Sequence, residues 1–183
     1  MRKIGIYGGT FDPIHHGHLI LGRQACEELG LDRLIFVPAA LSPFKKATHA
    51  RGEARMSMLR AAVEGELMFT VNDCELQRPP PSYSIDTVLQ IHEREPDAEL
   101  FWLIGADNVD RLSNWHRFED LNKLVKFVVL DRAGAIGRQR SRARATPARS
   151  AARHVPFQRT HAELPLLDVQ LPRCAPDLPA RRL

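Results

Sequence analysis

Three histidines and three glycines fall within the twelve residues GGTFDPIHHGHL, Gly8–Leu19. Gly8 and Gly9 follow an apolar run directly, so backbone amides there can approach a ligand with no Cβ in the way. A helix beginning near Gly17 would turn its N–H groups and positive dipole end on the same space. Phosphate is the ligand such a place suits. His15 and His18 are three apart, so at a helix start they share one side. From there imidazoles can donate hydrogen bonds to phosphoryl oxygens as charge builds in a transition state. Two blander readings compete: a His pair at this spacing also binds metal, with Asp12 close by in sequence, and a single His is often only a surface residue. The glycines favour the phosphate reading, and no metal ligand is assigned. His16 is expected to face away. The turn is neither a GxxxxGK[ST] loop nor a GxGxxG dinucleotide fingerprint.

Short β-rich runs alternate with helical patterns to position these residues. KIGIYGG (3–9), LIFVP (34–38), MFTVND (68–73), LFWLIGAD (100–107) and FVVL (127–130) read as strands, compact and mostly apolar as in a parallel sheet covered on both faces. Helices are expected over about 17–29, capped by Gly30, around Met56, Leu59 and Val63, from Ser84 onward, and over 118–125. This pattern predicts an α/β fold, a Rossmann-like doubly wound parallel sheet in a single domain. Ligands of such sheets bind beyond the carboxyl ends of the strands. Gly8–His18, Ser42–Lys45 and Gly105–Asp107 all fall there.

With 183 residues, 44% hydrophobic and 26% charged, the chain has the composition of one ordinary globule. It shows no signal-peptide core and no run of the roughly 20 apolar residues that span a bilayer. Cys26, Cys74 and Cys174 are odd in number and widely spaced, which argues against a disulfide framework and a structural zinc site. The expectation is a cytoplasmic protein with no membrane partner. The net charge of +4 is unevenly spread: residues 133–183 hold 10 Arg and 3 acidic residues, net +7, whereas 1–132 carry net −3. The expected division is thus an α/β domain over 1–132 and an atypical Arg/Pro-rich C-terminal tail over 133–183. That tail is expected to be poorly ordered apart from a strand at 164–169. A basic tail can bind nucleic acid through its charge. Phe157 is its one aromatic residue, so no specific nucleic-acid reading is expected.

GGTFDPIHHGH resembles the N-terminal signature GGTFDPxHxGH of the bacterial nicotinate-nucleotide adenylyltransferases, members of the HxGH nucleotidyltransferase superfamily. SPFKK (42–46) is similar to the family's PPHK loop, with Lys45 at the lysine and Phe44 where histidine is usual. SYSIDT (82–87) is similar to SYTxDT, and LIGADN (103–108) followed by Trp115 resembles GADxxxxxxxW. These motifs stand in the family's order across residues 1–132.

The resemblance implies adenylyl transfer from ATP to nicotinate mononucleotide, a step of NAD biosynthesis, with ATP and the mononucleotide as partners and Mg²⁺ arriving with ATP as cofactor. It assigns His15, His18 and Lys45 to catalysis, and Gly8, Gly9, Thr10, Phe11 and Gly17 to ATP phosphates. Tyr83, Ser84, Asp107 and Trp115 are assigned to nicotinate mononucleotide: Trp115 by stacking, the Tyr83–Ser84 helix start by backbone N–H groups, and Asp107 at sugar hydroxyls. Judged without the resemblance, Trp115 is equally a packing residue, and Ser84 a helix cap. Self-association into a homo-oligomer stays open.

The family's late ISSTxIR segment, which contacts ATP phosphates, has no counterpart here. HAELPLLDV (161–169) resembles the strand that leads into it, but QLPRCAPDLPARRL follows, as a shifted reading frame would produce. Alternatives therefore stand beside the main reading: another phosphorylated acceptor (nicotinamide mononucleotide or phosphopantetheine), or an inactive relative.

Overall fold

The computed structural model describes residues 1–130. Five parallel strands form one sheet in the order β3-β2-β1-β4-β5, with β1 Lys3–Gly9, β2 Arg33–Pro38, β3 Phe69–Val71, β4 Glu99–Gly105 and β5 Lys126–Leu130. The helices are α1 His16–Leu29, α2 Gly52–Val63, α3 Ser84–Arg94 and α4 Phe118–Leu124. The expected doubly wound sheet is what forms. The tail over 133–183, its strand at 164–169 and the place of the missing ISSTxIR segment lie outside the described residues.

Strand alternation sorts the apolar side chains into two layers. Ile4, Ile6, Ile35, Val37, Trp102 and Ile104 pack with Ile85, Val88 and Ile91 of α3 and Leu121 of α4. Tyr7, Leu34, Phe36, Phe101 and Leu103 pack with Ala25 and Cys26 of α1 and Leu59 of α2 on the other face. Each fully buried large side chain stabilises the fold by about 1.5–3 kcal/mol. Gly30 closes α1 at φ 61, the left-handed cap expected of it, and its N–H donates to the Cys26 carbonyl. Cys26 and Cys74 are buried free thiols. Burial, aided by Glu27, pushes Cys26 up to about 11, which makes it a packing group rather than a nucleophile.

Two strands end two residues short of expectation. β3 is only three residues long, because β2 offers it pairing partners only at Leu34, Ile35 and Phe36. β4 stops at Gly105, opposite Leu130, two residues short of the predicted end. Ala106–Asn114 then turns away as a 3₁₀ segment.

The chain runs outward from β1 to β3, then returns to β4 on the other side of β1. The two halves diverge at the carboxyl ends of β1 and β4, where a crevice opens.

Candidate active site

The crevice is a cleft of about 560 Å³, within the usual range for small-ligand sites. Its walls come from the loops after β1, β2 and β4 and from the start of α3. Gly8, Gly9, Thr10, Phe11, His18, Lys45, Tyr83, Ser84, Asp107 and Trp115 all line it. Residues from five separate stretches of sequence therefore meet in one place. His15 and Gly17 are exposed and stand beside the cleft rather than in its wall.

The first loop shows why its residue types are needed. A Cβ on Gly8 would lie 2.7 Å from the Trp102 ring, and one on Gly9 would lie 3.0 Å from the Phe11 ring. Those glycines thus let two aromatic side chains pack under the loop, a reason the sequence alone does not reveal. Phe11 is buried, at φ 47, a left-handed conformation that costs a non-glycine residue about 1–3 kcal/mol. Its ring holds His18 edge-on, with centroids 5.1 Å apart. Gly17 leaves room for His15, whose Nδ1 would sit 3.0 Å from a Cβ there. The His15 and His18 rings stack at 3.8 Å, so the spacing does bring them to one side. The His15 N–H donates to His18 Nδ1 at 3.3 Å, which puts the proton of a neutral His18 ring on Nε2. His16 is exposed and lies off the cleft.

Lys45 reaches across from the loop after β2, and its ammonium donates to Thr10 Oγ1 at 2.9 Å. Beneath this pair lies a residue that sequence reasoning missed. Arg55, on α2, is 1% exposed and donates to the carbonyls of Thr10 at 2.7 Å, Ala39 at 2.8 Å, Ala50 at 3.3 Å and Ala40 at 3.5 Å. One guanidinium thereby joins the loops after β1 and β2. Its rigid fork of donors suits that task, and burial lowers its affinity for its proton against the pull of Asp12.

Asp12 is committed to loop structure: its carboxylate accepts the N–H of His49 at 2.6 Å and of Ala50 at 3.1 Å. Burial acts to raise this carboxyl, but those N–H groups, with His49 and Arg55 nearby, outweigh it and hold it below its ordinary value of 3.8. Among the described residues, no three His, Cys, Asp or Glu side chains are grouped to hold a metal ion.

The other end of the cleft is aromatic. Trp115 is half-buried and meets Trp102 and Phe127 edge-to-face at 6.3 and 6.2 Å. It packs and lines the cleft at once. Its indole Nε1 is buried with no hydrogen-bond partner among the described residues. Tyr83 lies 4.3 Å from His116, ring to ring. Tyr83, not Ser84, is the N-cap of α3, and no side-chain cap bond is made. The capping role considered for Ser84 is therefore not what the fold uses, and the first N–H groups of α3 keep no side-chain acceptor. Asp107 folds back beside Gly105, where a Cβ would lie 2.5 Å from its Oδ1.

Glu75 was also missed. It is 5% exposed, lines the cleft beneath the start of α3 and accepts the Thr87 hydroxyl at 2.6 Å. No spacing in the sequence ties it to the site.

A doubly wound α/β sheet with its cleft at the switch point is the class defined by these features. The cytidylyltransferase-like family model matches residues 6–168, and the chain belongs to that family. Its curated relatives include a probable nicotinate-nucleotide adenylyltransferase of Opitutus terrae, 46% identical over 72% of this chain and 68% of the relative. Another, of Methylacidiphilum infernorum, is 43% identical over 72% of this chain and 65% of the relative. The chain thus spans about two thirds of the length of these relatives. A solved structure described as Plasmodium falciparum nicotinic acid mononucleotide adenylyltransferase complexed with NaAD shares the fold. It has a TM-score of 0.64 and 19% identity over 73% of this chain and 66% of that one. Among the described residues, no helix is long and apolar enough to cross a membrane.

Proposed function

We propose that the chain transfers the adenylyl group of ATP to nicotinate mononucleotide. An ionised phosphate oxygen of the mononucleotide attacks the α-phosphorus of ATP. The new O–P bond forms as the bond to the β-phosphate oxygen breaks, and that electron pair leaves with pyrophosphate. The acceptor is already an anion at neutral pH, so no general base is needed; alignment and charge stabilisation remain. The observation that carries this reading is the two-ended cleft. His18, Lys45 and Thr10 gather at the end of β1, and Tyr83, Ser84 and Trp115 at the other end. The names of the relatives point the same way.

In this reading His18 Nε2–H and the Lys45 ammonium meet phosphoryl oxygens, and His15 keeps His18 in place through its ring and its N–H. Gly8, Gly9, Thr10 and Phe11 form the phosphate turn, with Gly17 opening the helix beside it. Trp115 covers the pyridine ring, the α3 N–H groups receive its carboxylate, and Asp107 takes sugar hydroxyls. Mg²⁺ enters as the counterion of ATP, because Asp12, the carboxylate of the first loop, is already spent on backbone N–H groups. We place the enzyme in the cytoplasm, with residues 1–132 as its α/β domain and 133–183 as a separate basic tail.

One observation supports a second reading, an inactive relative. The family match ends at Asp168, close to where QLPRCAPDLPARRL begins. Both readings meet the same experiment: pyrophosphate release by the full chain with Mg-ATP and nicotinate mononucleotide, nicotinamide mononucleotide or phosphopantetheine. Turnover with nicotinate mononucleotide, abolished by EDTA, is the expected result. Silence from folded protein with all three would establish the second reading.

A further inference from the structure

Glu75 lies in the cleft wall, yet no step of the proposed transfer uses it. Its carboxyl is buried against the segment that opens α3 and receives the Thr87 hydroxyl. Thr87 Oγ1 donates to Glu75 Oε1 at 2.6 Å, and Arg78 donates in turn to Thr87 Oγ1 at 2.6 Å. From the other side, Ser82 also draws the Glu75 carboxyl down. Ser82 Oγ meanwhile accepts the Ala40 N–H at 2.9 Å, and the Ser82 N–H donates to the Leu41 carbonyl at 2.9 Å. A continuous relay therefore runs from the loop after β2, through Ser82 and Glu75, to Thr87 in the first turn of α3. Between Ser82 and Thr87 stand Tyr83 and Ser84, the residues at which α3 presents N–H groups without a side-chain cap.

We propose that Glu75 is the positioning residue for acceptor recognition, clamping both ends of the Ser82–Thr87 turn so that its N–H groups face an acidic substituent on the acceptor ring. The inference rests on the function proposed above. An acid that acts on both ends of a turn holds it to one arrangement, and a carboxylate does so without offering a competing proton. Burial raises the Glu75 carboxyl from its ordinary value while Thr87 and Ser82 pull it down. That balance is what a buried acid held by donated hydroxyls should show. Arg78 stabilises the relay from behind, on the far side of Thr87.

The clamp should act on one substrate and not on the other. ATP phosphates meet the β1 loop, which Arg55 and Lys45 hold through bonds of their own to Thr10. Loss of the clamp should therefore weaken the acid-bearing acceptor and leave ATP alone. It should also erode preference for acid over amide, because an amide draws less on a cluster of N–H donors than a carboxylate does.

The test is calorimetric binding of ATP, nicotinate mononucleotide and nicotinamide mononucleotide to the full chain, wild type and variants, with KM and kcat in parallel. For Glu75→Ala, Kd for the acid mononucleotide should rise about tenfold or more, with ATP affinity within about twofold and the acid-to-amide preference reduced. Glu75→Gln, isosteric and expected to fold, should fall between wild type and Glu75→Ala. Thr87→Val should move the same way and Thr87→Ser should restore the wild-type value. Equal weakening of ATP and acceptor would mark a general structural role and overturn the proposal, as would unchanged acceptor affinity in both Glu75 variants. Wild-type protein that binds ATP but no pyridine mononucleotide would instead sink the proposed function, and this inference with it. Acceptor binding without turnover keeps the inference testable by affinity alone.

Discussion

The two ends of the cleft are built on opposite principles. At the β1 end a buried cation, Arg55, gathers backbone carbonyls from several loops. At the α3 end a buried acid, Glu75, takes the Thr87 hydroxyl and is acted on by Ser82, at the two ends of a single turn. Each hub lies under the chain it organises, and each has the charge that leaves the complementary backbone groups to the ligand. With the carbonyls tied to Arg55, the β1 loop keeps its cationic and N–H side for the phosphates of the proposed function. With the Thr87 hydroxyl tied to Glu75, the α3 turn keeps its N–H groups for the carboxylate of the proposed acceptor. A binding surface of one polarity can thus be prepared by burying a partner for the groups of the other polarity.

The largest expected effect separates chemistry from architecture at the β1 end. His18→Ala should lower kcat about 10²–10³-fold while the far-UV spectrum stays native, as steady-state kinetics and circular dichroism would show; an unchanged kcat would remove His18 from the reaction.

Arg55→Met tests the architecture. It strips partners from several buried carbonyls and should cost at least about 3 kcal/mol of stability in a urea titration. A loss below about 1 kcal/mol would mean that the two loops hold each other without the guanidinium.

At the other end, Trp115→Ala should raise KM for the acceptor about three- to tenfold with KM for ATP unmoved. Trp115→Phe should recover most of that loss. Equal rises in both constants would identify Trp115 as a packing residue only, the role its contacts with Trp102 and Phe127 would by themselves support.

The smallest effect is a contrast in pH. Asp12 is held below 3.8, so as pH falls from 3.8 to its native value the unfolded chain takes up a proton first and stability falls. Glu75 is raised above 4.5, so between 4.5 and its native value the folded chain holds the extra proton and stability falls as pH rises. Denaturant midpoints measured across pH should therefore lose an acid-side slope in Asp12→Asn and an upward-pH slope in Glu75→Gln. If both variants lose the same slope, the contrast between the two hubs is wrong.

Much of this was legible in the chain itself. Alternation of apolar runs located the five strands and four α-helices of the described residues, because each needs only neighbours at a fixed period. Gly30 announced its helix end, since a left-handed residue there is a local requirement. The strand ends were less legible: β3 and β4 stop where their neighbours stop pairing, a property of the sheet and not of either segment. Gly8 and Gly9 stood out in the sequence for a ligand's approach, yet the rings of Trp102 and Phe11 that fill the space beside them could not be foreseen from the turn alone.

What the sequence determined by itself was the chemistry that a contiguous segment can encode: a glycine turn, two imidazoles three residues apart, a helix start behind them. Tertiary structure decided which of those imidazoles stands in the cleft wall, and which charged residues were to be buried. Arg55 and Glu75 look like ordinary surface charges in a linear reading. Their partners lie up to 45 residues away along the chain, and only folding brings enough acceptors or donors around each to make its burial favourable.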